Sequence, residues 1–219
     1  MSAKIPVIIN NRDLVTWPIA MVNKILTYDN VGQIIIVDNG STYKPLIEWY
    51  KEQKLVKVLY CQNLGHAGAW ISNAVEELES EYYVVTDSDM GINDTPCNTL
   101  TVLKDKLVSN PSLNKIGLGL NWQIVNKESP YYDRLNLYEK DRWKKSKIID
   151  DIYVDVPIDT TFAMYNIKNY FIGGGSLTYP YVARHYPWEL SINHDNDEFR
   201  YYIKNASSSS SYKMIVPTT

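Results

Sequence analysis

Two aspartates separated by one residue, Asp87 and Asp89, follow the apolar run Tyr82–Thr86. In an extended chain, side chains two residues apart project from the same face, so this spacing would direct both carboxylates to one point. Carboxylate oxygens are hard ligands that suit Mg²⁺ or Mn²⁺, and such cations often complete their coordination with substrate phosphates. The spacing therefore predicts a divalent-cation site in an enzyme that handles a diphosphate. Its plainer interpretation is a turn at a strand end, where Asp and Ser are common.

Three further polar clusters follow apolar segments in the first half of the chain. They are Asn10-Asn11-Arg12, Asp38-Asn39-Gly40-Ser41, and the group Asn63, Gly65, His66 and Gly68. The apolar segments alternate with amphipathic ones, which is typical of a parallel sheet with helical crossovers. In such a sheet, ligands bind beyond the carboxyl ends of the strands. We therefore expect all four clusters to line one crevice.

The hydrophobic pattern also predicts the individual elements. Strands are predicted at Lys4–Asn10, Gln33–Val37, Val56–Tyr60, Tyr82–Thr86 and Lys115–Trp122. Helices are predicted from Thr16, and over Pro45–Gln53, Ala67–Leu78 and Thr95–Val108. The second half is less regular, with a flap or surface helix over Asn126–Asp151, one or two strands over Tyr153–Asn166, a loop at Gly173–Gly175 and a flexible serine-rich tail over Ala206–Ser211.

Bulk properties restrict the class of protein. The 219 residues, of which 45% are hydrophobic, suit a single domain with a sizeable core, and a net charge of −3 gives no reason to expect nucleic acid as a partner. The two cysteines, Cys61 and Cys97, form no CxxC pair, so a disulfide framework or zinc site is not expected. No apolar stretch approaches the roughly 20 residues of a membrane helix. We expect a soluble, cytoplasmic protein, either complete or part of a longer multidomain chain.

Three segments of the first half carry a family resemblance: VDNGS (37–41), QNLGHAGAW (62–70) and TDSD (86–89). Their order resembles the nucleotide-binding half of glycosyltransferases with the GT-A fold, particularly family 2, over roughly residues 4–92. The resemblance implies an α/β domain over 1–219 with a Rossmann-like, mostly parallel central sheet flanked by helices. Residues 1–92 would bind the nucleotide-sugar, and an irregular half over 93–219 would bind the acceptor.

The resemblance also implies roles for individual positions. Asp38 is similar to the aspartate that reads uracil or another base, and the two glycines of the 63–68 loop are similar to those that let the backbone approach the nucleotide or sugar. The residues expected to contact the donor are Asn10, Arg12, Asp38, Asn63, Gly65, Gly68, Asp87, Ser88 and Arg184. The residues expected to hold Mn²⁺ or Mg²⁺ are Asp87, Asp89 and His185.

The second half is expected to supply the catalytic base. Segments 158–165 and 183–188 resemble segments of small bacterial and viral members of this class. Asp159 is the leading base because its context is strand-like and apolar, and such surroundings raise the pKa of a carboxyl group. Asp155, and then Asp195 and Asp197, are the alternatives. The usual family-2 Glu-Asp pair and the Gln-x-x-Arg-Trp helix of processive synthases are absent, which argues against a cellulose- or chitin-type polymerase.

Two features of the second half each have two interpretations. His185 is either a metal ligand or diphosphate contact, with Arg184 as a phosphate clamp, or a packed, hydrogen-bonded histidine. The charged segment 131–147 is a solvated helix face, or else a flap on which Trp143 or Tyr138 stacks against a sugar.

The predicted function is metal-dependent transfer of a sugar from a nucleotide-diphosphate donor, a UDP-sugar, to a glycan or other hydroxyl acceptor, with inversion. A sugar-1-phosphate nucleotidyltransferase is the alternative enzyme, but the Gly-rich loop expected after its first strand is replaced here by Asn10-Asn11-Arg12-Asp13. A non-catalytic glycan-binding domain on the same fold is the third possibility. A dinucleotide oxidoreductase is disfavoured because no GxGxxG follows any predicted strand.

Overall fold

The structure is a computed structural model that describes residues 4–150, 152–154, 158, 161–167, 174–191 and 194–206. Its strands are β1 (Ile5–Asn11), β2 (Val31–Asn39), β3 (Val56–Cys61), β4 (Tyr82–Asp87), β5 (Met90–Gly91), β6 (Lys115–Gly117), β7 (Gly119–Leu120), β8 (Lys147–Ile149), β9 (Ile152–Val154), β10 (Ala163–Asn166), β11 (Gly174–Leu177) and β12 (Val182–His185). Its helices are α1 (Thr16–Ile25), α2 (Lys44–Glu52), α3 (Gly68–Ile71), α4 (Thr99–Ser109), α5 (Tyr132–Lys145), α6 (Tyr186–Glu189) and α7 (Asp197–Asn205).

The strands of the described ranges form two sheets. The larger has the order β3-β2-β1-β4-β10-β6-β11-β9-β8, and the smaller has the order β5-β12-β7. β1, β2, β3 and β4 run parallel to one another, whereas β10 lies antiparallel between β4 and β6. The predicted α/β class is confirmed, with a parallel first half and a mixed second half.

Helices cover both faces of the larger sheet, because its central strands are apolar on both sides. On β1, Val7 and Ile9 join one core cluster, and Ile8 joins the other. The first cluster receives apolar side chains from α1, α2 and α4, and the second receives Ala69 of α3 and Ala74. Continuous apolar runs such as β1 are the pattern of strands buried on both faces.

One predicted helix of the first half is wrong. Instead of a helix over Ala67–Leu78, the chain forms a 3₁₀ turn over Gly65–Ala67, the single helical turn of α3, and then a series of turns. Asn73 ends the helix with a φ of 61°, a left-handed conformation that Asn tolerates better than most residues. Of the apolar side chains with helical spacing, Ala74 is nonetheless 0% exposed, and Trp70 and Leu78 are half-buried.

The second half also corrects two predicted segments. The strand predicted over Lys115–Trp122 is divided into β6 and β7, and the loop predicted at Gly174 and Gly175 is strand β11. A Cβ on Gly175 would lie 2.5 Å from Cγ2 of Ile152, so this glycine allows a close approach within the sheet. The surface helix predicted within 126–151 is α5, while Gly173 and most of the predicted tail lie outside the described residues.

Across the helices of the described ranges, none combines the length and apolarity needed to cross a membrane.

Candidate active site

The carboxyl ends of the parallel strands bring three predicted site residues to one edge of the sheet. Asn10 on β1 is in register with Asp87 on β4, and the next residue, Asn11, is in register with Asp38 on β2. β3 ends beside β2 at the same edge, and the 63–68 loop follows it. The four polar clusters of the sequence therefore meet here, as ligand-binding residues of open α/β sheets do.

Asn10 connects the loop to β4. Its Nδ2 donates to the carbonyl oxygen of His66 (3.1 Å) and to Oδ1 of Asp87 (3.4 Å). Its Oδ1 is buried and accepts no hydrogen bond within the described part of the chain. A Cβ on Gly68 would lie 3.1 Å from that oxygen, so the glycine lets the start of α3 lie against the strand ends.

The 63–68 loop is exposed at its tip and held at its base. Oδ1 of Asn39 accepts from the backbone N–H of Leu64, and Oδ1 of Asn63 accepts from that of Gly65, both at 3.1 Å. Gly65 has a φ of +67° and open space around its Cα, so the turn and not crowding requires glycine there. The loop thus presents exposed backbone at the sheet edge.

Asp38 is buried beneath this edge. It is 2% exposed, and its carboxylate accepts from the N–H of Ser41 (3.1 Å) and the hydroxyl of Tyr50 (3.2 Å). Burial raises the pKa of Asp38 above its ordinary value, and the hydrogen bonds from Ser41 and Tyr50 oppose that rise. Burial likewise raises the pKa of Tyr50, so its phenol stays protonated and donates. The contact of Asp38 with a base stays a prediction.

Ser88 has a structural partner in this arrangement. It is 3% exposed, and its hydroxyl donates to Oδ1 of Asn11 at 2.7 Å. Asn11 in turn donates to the hydroxyl of Tyr50 (2.8 Å) and to the carbonyl of Leu14 (2.9 Å). The contact predicted between Ser88 and the nucleotide would require its hydroxyl to leave Asn11. Ser88 therefore fixes the turn that carries Asp89.

The two aspartates of the motif do not share an extended strand. β4 ends at Asp87, residues 88–89 form a turn, and β5 begins at Met90. β12 pairs with β5 so that His185 lies opposite Met90, and this places Nε2 of His185 3.6 Å from Oδ2 of Asp89. The pairing between distant strands, and not the i, i+2 spacing, therefore assembles this pair.

The pair fits a divalent cation. Two donor atoms bound to one ion through bonds of about 2.1 Å lie roughly 3–3.5 Å apart, close to the 3.6 Å found here; carboxylate suits Mn²⁺, and imidazole is a common ligand of divalent transition metals. Both side chains are largely buried, and Nδ1 of His185 has no hydrogen-bond partner in the described ranges. No set of three or more His, Cys, Asp or Glu within those ranges is arranged to hold a metal alone. Further ligands would have to come from the substrate and water, as is usual for Mg²⁺.

Both predicted arginines have intramolecular partners. Arg184 makes two hydrogen bonds to the carboxylate of Glu189, one of them Nε to Oε1 at 2.8 Å, and these bonds raise its pKa. A phosphate would have to compete with Glu189 for it. Arg12 donates from Nη2 to the carbonyl of Asn205 at 3.1 Å, which ties the end of β1 to α7.

α7 closes one side of the edge through residues that the sequence did not reveal. Glu198 accepts from the backbone N–H groups of Val15 (2.7 Å) and Thr16 (3.0 Å) at the start of α1. A cavity of about 390 Å³ lies between α7 and α6, with Trp17 and Tyr186 stacked in its wall at a ring separation of 5.1 Å. No local signal could identify Glu198, since its partners are more than 180 positions away.

The predicted bases are not brought into this arrangement by any described contact. Asp159 and Asp155 are outside the described residues. The alternatives, Asp195 and Asp197, both form exposed ion pairs with Arg200, at 2.6 and 2.7 Å.

Comparison with known proteins gives a match in structure. No protein-family model matches the chain, and no curated protein matches it in sequence. TarS of S. aureus, as residues 1–349 in complex with UDP, superposes with a TM-score of 0.51 at 16% identity, covering 83% of this chain and 60% of that one. The uncomplexed TarS 1–349 structure gives 0.49 at 15% identity with the same coverage.

A further solved structure is less similar. Glucosyl-3-phosphoglycerate synthase from Mycobacterium tuberculosis, in complex with Mn²⁺, UDP-glucose and phosphoglyceric acid, gives a TM-score of 0.46 at 12% identity, covering 76% of this chain and 57% of that one. The chain thus spans about three fifths of the length of the TarS fragment that it matches. At 16% identity the likeness to TarS in complex with UDP concerns the fold alone, and it is the fold expected from the sequence. The chain has a GT-A-like α/β fold.

Proposed function

We propose that this chain is a metal-dependent glycosyltransferase that moves a sugar from a UDP-sugar to a hydroxyl group of a glycan, with inversion. The observation that supports this best is the proximity of Asp89 and His185 (3.6 Å) at the carboxyl edge of the sheet. Strand register places Asn10, Asp38 and Asp87 at the same edge. An edge that combines cation ligands with an exposed glycine loop suits a nucleotide diphosphate.

The proposed roles follow from position and donor chemistry. Asp89 and His185 hold Mn²⁺ or Mg²⁺, which when bound would stabilise the negative charge of the departing diphosphate, and Asp87 contacts the ribose. The backbone of the 63–68 loop and the side chain of Asn10 orient the nucleotide. A carboxylate of the second half, Asp159 first and Asp155 second, accepts the proton of the attacking hydroxyl, so that its oxygen displaces the diphosphate from the opposite face.

Calorimetric titration with UDP, with and without Mn²⁺, tests the donor site. We expect binding that depends on Mn²⁺ in the wild type, and at least a tenfold loss of affinity, about 1.4 kcal/mol, in Asp89→Asn and His185→Gln. Asp29→Asn is the matched control, because Asp29 is exposed at the opposite edge of the sheet, just before β2. If the affinity for UDP is the same with and without Mn²⁺, and is unchanged in Asp89→Asn, the proposed metal site is excluded.

Product analysis tests the reaction. Incubation with UDP-sugars and Mn²⁺ should release UDP, and NMR of the glycoside should show an anomeric configuration opposite to that of the donor. Asp159→Asn should abolish transfer while leaving UDP affinity unchanged. Release of pyrophosphate from a nucleoside triphosphate and a sugar 1-phosphate would instead identify a nucleotidyltransferase.

A further inference from the structure

A second cavity, of about 490 Å³, lies between α5, β9 and the segment that joins β11 to β12. Its wall contains three aromatic residues, Trp143, Tyr153 and Tyr179, and three neutral polar residues, Asn121, Gln123 and Thr178. The remaining lining residues are aliphatic, so no described residue of the wall carries a charge. The volume is in the range of small-ligand pockets, roughly 300–1,000 Å³.

The aromatic residues give the cavity flat apolar surfaces. Trp143 and Tyr153 meet edge to face with ring centroids 4.6 Å apart, which fixes one wall between α5 and β9. Tyr179 is 84% exposed at the surface of the molecule, so most of its ring is free to contact a ligand. Aromatic rings beside amide and hydroxyl groups match a sugar ring, whose C–H face is apolar and whose edge carries hydroxyls.

Trp143 carries a further mark of a binding site. Its Nε1 is buried, and it donates no hydrogen bond to any residue that the structure describes. Buried donors without an acceptor are rare, because each has given up a hydrogen bond to water without replacing it. An oxygen atom of a bound ligand or water would supply the missing acceptor.

The cavity is connected to the candidate active site through β12. The N–H of Asn121, in its wall, donates to the carbonyl of Ala183 at 2.9 Å, and Val182 at the start of β12 also lines it. His185 ends the same strand, three residues and therefore roughly 10 Å from Val182. The cavity and the proposed metal pair are thus held by one short strand.

We propose that this cavity binds a neutral sugar ring of the acceptor glycan. That the sugar belongs to the acceptor rests on the proposed function. That the cavity binds a neutral sugar is argued from the cavity itself. The absence of charge from the described wall selects against phosphorylated sugars and uronic acids, because a buried anion without a partner is costly. The specificity predicted is therefore for an uncharged hexose or deoxyhexose.

The indole N–H signal of Trp143 in a ¹H–¹⁵N spectrum of the full chain is the measurement, and Trp143→Phe assigns it. The probes are methyl glucoside, methyl galactoside and methyl rhamnoside, with glucose 6-phosphate and glucuronate as charged comparators and no nucleotide present. At least one neutral probe should shift the signal with saturation at millimolar concentration, and the charged probes should not. Tyr179→Ala should weaken that binding at least fivefold, while Tyr60→Ala, which removes another exposed tyrosine ring, should not.

The outcomes separate this inference from the proposed function. Any of three results overturns the neutral-sugar pocket. The Trp143 signal shifts with no neutral probe, it shifts only with the charged probes, or Tyr179→Ala binds the neutral probe as tightly as the wild type does. Calorimetry with UDP and Mn²⁺ on the same sample reports the donor site independently. Sugar binding without UDP binding would support the sugar pocket and refute the proposed transferase function.

Discussion

The contact between Glu198 and the start of α1 makes a strong prediction for stability. The residue preceding α1, Val15, offers no side-chain cap, so the first N–H groups of the helix depend on a distant carboxylate. Glu198 accepts from the N–H groups of Val15 and Thr16 and from the hydroxyl of Thr16. We therefore expect Glu198→Ala to lower the free energy of unfolding by about 2 kcal/mol, as loss of a strong N-cap does.

The magnitude follows from partial exposure. Hydrogen bonds to a charged group contribute about 1.5–3 kcal/mol each when protected, but water can replace part of the Glu198 contacts because that side chain is half-buried. Two kcal/mol corresponds to a drop in melting temperature of roughly 4–8 °C for a chain of this size. UDP affinity should fall as well, because α7 also holds Arg12 through Asn205 and Thr42 through Tyr201.

Urea denaturation followed by circular dichroism measures the change. Asp197→Ala is the matched control, since it removes a neighbouring acidic residue of the same first turn whose partner, Arg200, lies on an exposed surface. Glu198→Gln should fall between the two, because an amide oxygen accepts without charge. If Glu198→Ala proves no more destabilising than Asp197→Ala, α7 does not cap α1 and the reasoning fails.

Three further substitutions test the strand-end network. Gly68→Ala should cost about 1 kcal/mol net in urea unfolding and weaken UDP binding in calorimetry, because overpacking against Asn10 outweighs the gain in helix propensity. Tyr50→Phe should cost about 1–3 kcal/mol in the same unfolding assay, since it leaves one N–H of the buried Asn11 amide without its acceptor while the other still donates to Leu14. Burial raises the pKa of Asp38, so the native state holds this proton more tightly than the unfolded state does. The free energy of unfolding should therefore fall as pH rises through the native pKa. Urea unfolding measured from pH 3.5 to 7 should show this fall in the wild type and not in Asp38→Asn.

Local sequence patterns predicted much of the fold because the first half follows simple rules. Runs such as Ile34–Val37 are buried on both faces, and the polar residues that follow them reach one edge by register alone. The failures occur where side-chain periodicity and backbone conformation disagree. The segment after Trp70 buries Ala74 and Val75 through turns that Ser72 and Asn73 favour over helix. Gly175 resembles a loop glycine but serves a crowded strand.

The residues of the candidate site were predictable only where the signal lies in the neighbouring sequence. Asn10, Asp38 and Asp87 directly follow apolar strands, whereas Glu198 and Tyr50 are ordinary helix residues whose roles depend on tertiary contacts. The resemblance to a family indicated His185, but the two-residue strand that brings it to Asp89 is too short for any periodic signal.

The architecture explains why the two halves of the chain, with their proposed donor and acceptor roles, do not separate into independent domains. β10, from the second half of the chain, pairs with β4 through four residues and covers the edge that β4 would otherwise expose. The smaller sheet repeats this exchange, since β12 joins β5 of the first half to β7. The proposed metal pair takes one ligand from each half, so its geometry depends on both exchanges. If the first half binds a nucleotide, its affinity should therefore depend on how the second half packs, because that packing sets the positions of Asp89 and His185.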